Sequence, residues 1–180
     1  MVMPVPEPPN APFPSGEPYW YWYGGRPALD FVNTLRERWR GNIECLVTPG
    51  DLGLWLARAE LLPAPMPVSR AVLAEARELR EAIDAGVRAV VAGVQPPPAA
   101  VTLIDDWLVH AGPRPTLVLG DDGLQLDERP PADSPRRALG EIALDAARML
   151  GLANERARVR ICASETCSAR FYDRSPAAGR

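Results

Sequence analysis

Apolar residues recur at helical spacing in five long stretches of the chain and alternate with polar ones in shorter stretches between them. The longest helical pattern runs from Arg70 to Ala92. Leu73, Ala76, Leu79, Ile83, Val87 and Val90 form one apolar stripe, and Glu75, Glu78, Glu81, Asp84 and Arg88 decorate the other side. The charges read as a solvated face, with Asp84 and Arg88 an i,i+4 pair. Ser69 is the N-cap and Gly93 the stop, so this helix is predicted as the centre of the core. Pro27 opens a helix in the first turn, where proline is tolerated, with Leu29, Val32, Leu35 and Trp39 repeating at helical spacing. Thr48, Pro49 and Asp51 carry a capping-box start for another, with Leu52, Trp55 and Leu56 inward, ending by Leu62. A fourth spans about Ala99 to Ala111, with Val101, Ile104, Trp107 and Leu108 apolar, and a fifth runs from Ser134-Pro135 to Leu150, stopped by Gly151.

Strand-like alternation marks Tyr19 to Tyr23, Ile43 to Val47, and two hairpins. One hairpin joins Thr116–Leu119 to Leu124–Asp127 around Asp121-Asp122-Gly123; the other joins Arg158–Ile161 to Arg170–Tyr172. Tyr19 to Tyr23 is predicted as an edge strand that anchors the N-terminus to the core, tyrosines on one face and Trp20 and Trp22 on the other. The expected fold is therefore mainly α with small β-hairpins, an α+β arrangement. It divides into a Pro-rich arm over 1–18, a helical body over 19–155 with its hairpin near 116–127, and a C-terminal knuckle over 156–180.

Composition changes this picture in three ways. Seven prolines fall in residues 1–18, which predicts an extended arm. All basic residues are Arg, which excludes Schiff-base lysine and P-loop chemistry. The net charge of −3 is uneven: residues 156–180 hold six Arg against Glu165 and Asp173, a local excess of +4. A basic tail on an acidic body suits contact with phosphate, and equally suits a solvated arginine-rich strand pair. No stretch has the length of a membrane span and no signal pattern opens the chain, so no membrane role and a cytoplasmic location are expected.

The candidate chemistry concentrates in the last segment. Cys162 and Cys167 flank a tight turn with four residues between them, the arrangement of a zinc knuckle half-site. A structural zinc takes four ligands, and the remaining candidates, Cys45 and His110, form no second pair. Cys45 reads as a small core residue and His110 as a helix-end partner. Three arrangements fit: a second pair beyond Arg180, one pair from each of two chains, or free thiols. An intracellular setting disfavours a disulfide. In the first helix Asp30 and Asn33 interrupt the apolar run three residues apart. They tie the helix to a neighbouring backbone or to Arg26, or with Arg26 they line a ligand pocket. The acidic turn Asp121-Asp122 lacks calcium-loop spacing. With one His, no nucleophile–base constellation and no phosphate loop, an enzyme is not expected.

Two motifs carry a family resemblance. Cys162 and Cys167 followed by Phe171-Tyr172-Asp173-Arg174-Ser175 resemble the first half of the CGNR zinc finger. Leu29-Asp30-Phe31-Val32-Asn33-Thr34-Leu35 resembles the hallmark of the ABATE domain that precedes this finger. The resemblance covers the chain from about Tyr23 onward. The second cysteine pair and the Cys-Gly-Asn-Arg signature are not among the 180 residues, so the finger is expected to be truncated here. The resemblance implies a bacterial stress-induced transcription regulator whose body senses a small-molecule effector or forms a homodimer. The completed finger would contact DNA. Cys162 and Cys167 would then hold zinc, and Arg158, Arg160, Arg170 and Arg174 would meet DNA phosphates. The competing reading is a helical domain that binds a small ligand or a protein partner, with no nucleic-acid role.

Overall fold

The computed structural model describes residues 20–112, 116–120, 123–127 and 132–175. The elements run α1 Pro27–Val32, β1 Leu35–Arg36, β2 Ile43–Glu44, α2 Pro49–Arg58, α3 Arg70–Ala92, α4 Pro98–Leu108, β3 Thr116–Gly120, β4 Gly123–Asp127, α5 Pro135–Gly151, α6 Ala153–Arg156, β5 Val159–Ile161 and β6 Arg170–Tyr172. The strands form three separate antiparallel pairs, β1–β2, β3–β4 and β5–β6. The fold is thus mainly α with small hairpins.

The caps set the helix boundaries. Thr48 Oγ1 accepts from the Asp51 N–H at 3.3 Å while the Asp51 carboxylate accepts from the Thr48 N–H at 2.6 Å, a complete capping box for α2. Ser69 Oγ accepts from the Val72 N–H at 3.2 Å, and Gly93 closes α3 in the left-handed conformation at φ 68°. Around α3 the core gathers Leu29, Phe31 and Val32 of α1, Trp55 and Leu56 of α2, and Leu139, Ile142 and Met149 of α5, all fully buried. Two glycines let α5 come close to its neighbours. A Cβ at Gly86 would lie 2.7 Å from the Leu150 side chain, and one at Gly140 would lie 2.6 Å from the backbone of His110 and Ala111. No helix among the described residues is long and apolar enough to cross a membrane.

The observed elements depart from the periodicity in several places. The first helix stops at Val32, so Leu35 and Trp39 are not on it; Leu35 pairs with Glu44 and Trp39 is 42 % exposed. The competing bonds are local and tertiary: Thr34 Oγ1 donates to the Phe31 carbonyl at 2.7 Å, and the Asn33 side chain is engaged by β6. Residues 20–23 belong to no sheet, yet the alternation survives as ring packing. Trp20 meets Trp22 edge-on at 6.5 Å, Trp22 stacks on Trp55 at 5.4 Å, and Tyr21 lies 5.0 Å from Tyr23. Trp20 Nε1 donates to the Cys45 carbonyl at 3.1 Å, so the anchor is aromatic packing plus one buried bond in place of a strand ladder. The strand around Cys45 shortens to Ile43–Glu44, and of the apolar residues of α4 Ile104 and Trp107 are buried while Val101 is 52 % exposed. The Pro-rich arm 1–18 and the turn Asp121-Asp122 lie outside the described residues.

The largest departure is electrostatic. Asp84 is buried at 2 % exposure, not solvated, and so is Arg80 at 3 %. Both fall on the inward stripe of α3, four residues apart and in step with Ala76. Arg80 grips Glu44 with two bonds of 2.7 Å each. Asp145 on α5 is largely covered and holds Arg26.

Candidate functional site

The C-terminal hairpin brings the two thiols together. Its register sets Val159 opposite Tyr172, Arg160 opposite Phe171 and Ile161 opposite Arg170. The Cys162 N–H donates to the Ala169 carbonyl at 2.9 Å, and the Cys167 N–H to the Ser164 carbonyl at 3.1 Å, which extends the ladder and closes the turn. Both cysteines are half-buried and neither is in a disulfide. Burial pushes the Cys167 thiol above its ordinary range; the Ala169 backbone opposes that shift and the adjacent Cys162 adds to it. A metal bound there would have to displace the Cys167 proton against that upward shift.

Alternation across the hairpin decides which arginines face outward. Val159, Ile161, Arg170 and Tyr172 share the inner face, and Val159 and Arg170 are buried there. Arg170 donates from Nε to the Asp84 carboxylate at 2.7 Å and from Nη1 to the Ser168 carbonyl. Asn33 fixes the same residue through its backbone: Nδ2 donates to the Arg170 carbonyl and Oδ1 accepts the Arg170 N–H, each at 2.9 Å. The amide thus acts as one more strand partner for β6. Arg170 is accordingly an internal cation, apart from the other three arginines. Arg158 and Arg160 are half-exposed and donate to the backbone carbonyls of Asp173 at 3.1 Å and Ala157 at 2.7 Å. Arg174 is exposed and donates to the Gly25 carbonyl at 2.6 Å.

Arg26, Asp30 and Asn33 do not converge on one pocket. Arg26 donates to Asp145 at 2.6 Å and also to Glu155, which in turn accepts from the Tyr172 hydroxyl at 2.9 Å. The Asp145 carboxylate also accepts from the Ala28 N–H at 3.0 Å, at the start of α1. Asp30 accepts from the Gly24 N–H at 2.8 Å. Burial pushes the Asp30 carboxyl up to about 6, offset by that Gly24 bond and reinforced by the Asp145 carboxylate. Arg26 and Asp30 line a cleft of about 330 Å³ with Trp22 and Arg58. Asn33 lines a different and larger groove.

That groove, about 670 Å³, runs between the β1–β2 hairpin and the thiols and is bounded by Tyr21, Tyr23, Trp39, Cys162, Cys167 and Phe171. Tyr23 sits against the thiols; burial raises its hydroxyl pKa, and the Cys167 charge adds to that. Arg36 lies over the Tyr21 ring at 4.3 Å and donates to its hydroxyl at 2.7 Å. Sequence reasoning missed the aromatic wall of this groove, because Tyr21 and Tyr23 are more than 130 residues from the cysteines. It missed Asp84 and Asp145 for the same reason; only the helical step from Ala76 through Arg80 to Asp84 pointed inward.

The donor set suits zinc in kind and falls short in number. Two adjacent thiols at a hairpin end are soft ligands of the right type. Among the described residues no cluster of three or more His, Cys, Asp or Glu could hold a metal. Cys45 is buried beside β2, its thiol pushed up to about 11 by that burial, and His110 packs edge-on to Trp107 at 5.3 Å. A zinc held by Cys162 and Cys167 therefore needs two ligands from another segment or from a second copy.

No curated protein matches the sequence. The profile of the ABATE family, described as "Putative stress-induced transcription regulator", matches residues 25–152, from the turn before α1 to the end of α5, and stops short of the thiol hairpin. Since that match takes in well over half of the chain, the protein belongs to the ABATE family.

Proposed function

We propose that the protein is a cytoplasmic, non-enzymatic transcription regulator in which the β5–β6 hairpin is half of a zinc-organised DNA-contacting head. The observation that carries this reading is the hairpin itself. Two adjacent thiols stand at its turn, and Arg158, Arg160 and Arg174 lie outside the buried face that Arg170 occupies. Zinc would supply structural cross-linking of the turn and fix the arginines relative to a DNA backbone. The chain's own residues tie that head to the body: Asp84 and Asn33 hold Arg170, while Gly24 accepts from the Tyr172 N–H at 2.8 Å. A change in α1 or α3 would therefore reach the hairpin directly. The family description supports regulation; the DNA and zinc roles rest on the hairpin's chemistry.

The test is fluorescence anisotropy with labelled duplex DNA at two salt concentrations. Binding through about three phosphate contacts falls by roughly tenfold or more when monovalent salt rises fourfold. The triple variant R158Q/R160Q/R174Q should lose most of the affinity and most of the salt slope. Salt-independent binding, or none with zinc supplied, removes the proposal. A second reading, a small-ligand receptor, is favoured by the aromatic groove of about 670 Å³ beside the thiols. A thermal-shift screen of small metabolites separates the two, since ligand stabilisation in the absence of DNA binding supports only the second.

A further inference from the structure

The β3–β4 hairpin carries a feature that neither regulation nor the thiols use. Its register sets Leu117 opposite Leu126 and Leu119 opposite Leu124. Residues two apart on a strand share a face, so these four leucines form one face. Val118 and its partner Gln125 are on the other face. The leucine face is in solvent: Leu117, Leu119, Leu124 and Leu126 are 64, 82, 72 and 59 % exposed. The opposite face is exposed as well, with Val118 at 41 %, so neither face of the hairpin is covered by the body. An isolated two-stranded hairpin is marginal in water and needs further strands or a packed apolar face.

We propose that the leucine face of β3–β4 is a homodimer interface, met by the same face of a second copy across a two-fold axis. Three observations select that occupant. The face is built of a single residue type, so an identical face complements it, and two-fold pairing supplies one automatically. Among the described residues it carries no charged side chain, so its four leucines give an acidic or basic partner nothing to recognise. The area also fits. Four leucines exposed to this degree offer on the order of 500 Å², near the upper end for the largest patch on a monomer. Two copies together would bury about 1,000 Å², the lower bound for a specific interface. Stacking the two hairpins about 10 Å apart gives a four-stranded, two-layer unit that covers all eight leucines. The inference goes beyond the proposed regulator role and stands without DNA or metal.

The test is analytical ultracentrifugation of the full chain over a wide concentration range, with a chelator and reductant present so that thiol bridging does not contribute. The expected result is a monomer–dimer equilibrium that L119S/L124S weakens on the order of a hundredfold and that V118S, on the opposite face, leaves unchanged. Hydrogen exchange gives an independent readout that needs no variant: protection of Leu117 to Leu126 should rise with protein concentration. A wild-type chain that stays monomeric at every concentration overturns the proposal. So does a dimer indifferent to L119S/L124S, an open-ended series of larger assemblies, or exchange in this hairpin that does not depend on concentration.

Discussion

The β3–β4 and β5–β6 hairpins are both two-stranded and antiparallel, and they differ in where their cohesion comes from. The first has a five-residue ladder and four leucines in solvent. The second has only three paired positions, yet it holds a buried cation, a backbone clamp from Asn33 and a hydroxyl bond to Glu155. The shorter ladder is the one bound to the body. A two-stranded unit gains little from its own hydrogen bonds, so what packs against it decides its behaviour. One hairpin is part of the core and can relay a change in it; the other is available for a partner.

The strongest way to break this contrast is to remove the buried anion. Asp84→Ala leaves Arg170 without its partner in the interior and also removes the 3.1 Å i,i+4 pair with Arg88 and the 3.5 Å contact with Arg38. The expected loss is about 3–5 kcal/mol in chemical denaturation. Amide exchange at Val159 to Ile161 should quicken along with it. The double variant D84A/R170M, which takes out both charges, should recover much of the loss. A loss below about 1 kcal/mol for Asp84→Ala would mean that the pair does not hold the hairpin. Next in size is Asn33→Ala, which deletes both bonds to the Arg170 backbone and should cost about 2 kcal/mol by the same measurement.

These two residues also mark the limit of what the chain pattern reveals. Local signals placed the helices well: the Thr48 capping box, the Ser69 cap and the Gly93 stop each lie where the sequence puts them. The hairpins were legible through alternation, and the cysteine turn through its spacing. Asp84 was read as solvated charge and Arg170 as a phosphate contact because the two bind each other across more than 80 positions, and a charged side chain on an inward stripe looks solvated until its partner is known. The hallmark segment at Leu29 to Leu35 was informative for another reason. Its polar members bond backbone, Asp30 to Gly24 and Asn33 to Arg170, so they organise structure, and they border two separate clefts.

A smaller effect sharpens the role of Asp30. Its folded carboxyl, near 6, lies above the ordinary value of 3.8, so the folded state binds the proton more tightly than the unfolded chain. This group's contribution is most favourable below about pH 4 and is lost as pH rises through about 6. Glu44 and Glu81, held below the ordinary range against burial by Arg80 and Arg38, act in the opposite sense, at or below pH 4.5. Between pH 5 and 7 Asp30 is therefore the one of these three that changes charge. Asp30→Asn should flatten the pH dependence of the thermal midpoint in that window and raise the midpoint at pH 7. An unchanged slope would contradict the assignment. The smallest effect belongs to the exposed hairpin, where Leu119→Ser should move monomer stability by no more than about 0.5 kcal/mol.

The most direct test of the central claim, that Cys162 and Cys167 form the soft half of a metal site, is a cobalt(II) titration of the reduced protein followed by thiolate-to-metal absorption. The account predicts a charge-transfer band with tetrahedral ligand-field intensity that zinc abolishes, with one cobalt per two chains where two copies complete the ligand set. The band should be absent in C162S/C167S and intact in Cys45→Ser. No thiolate band at any cobalt concentration, or a band that survives C162S/C167S, would contradict it.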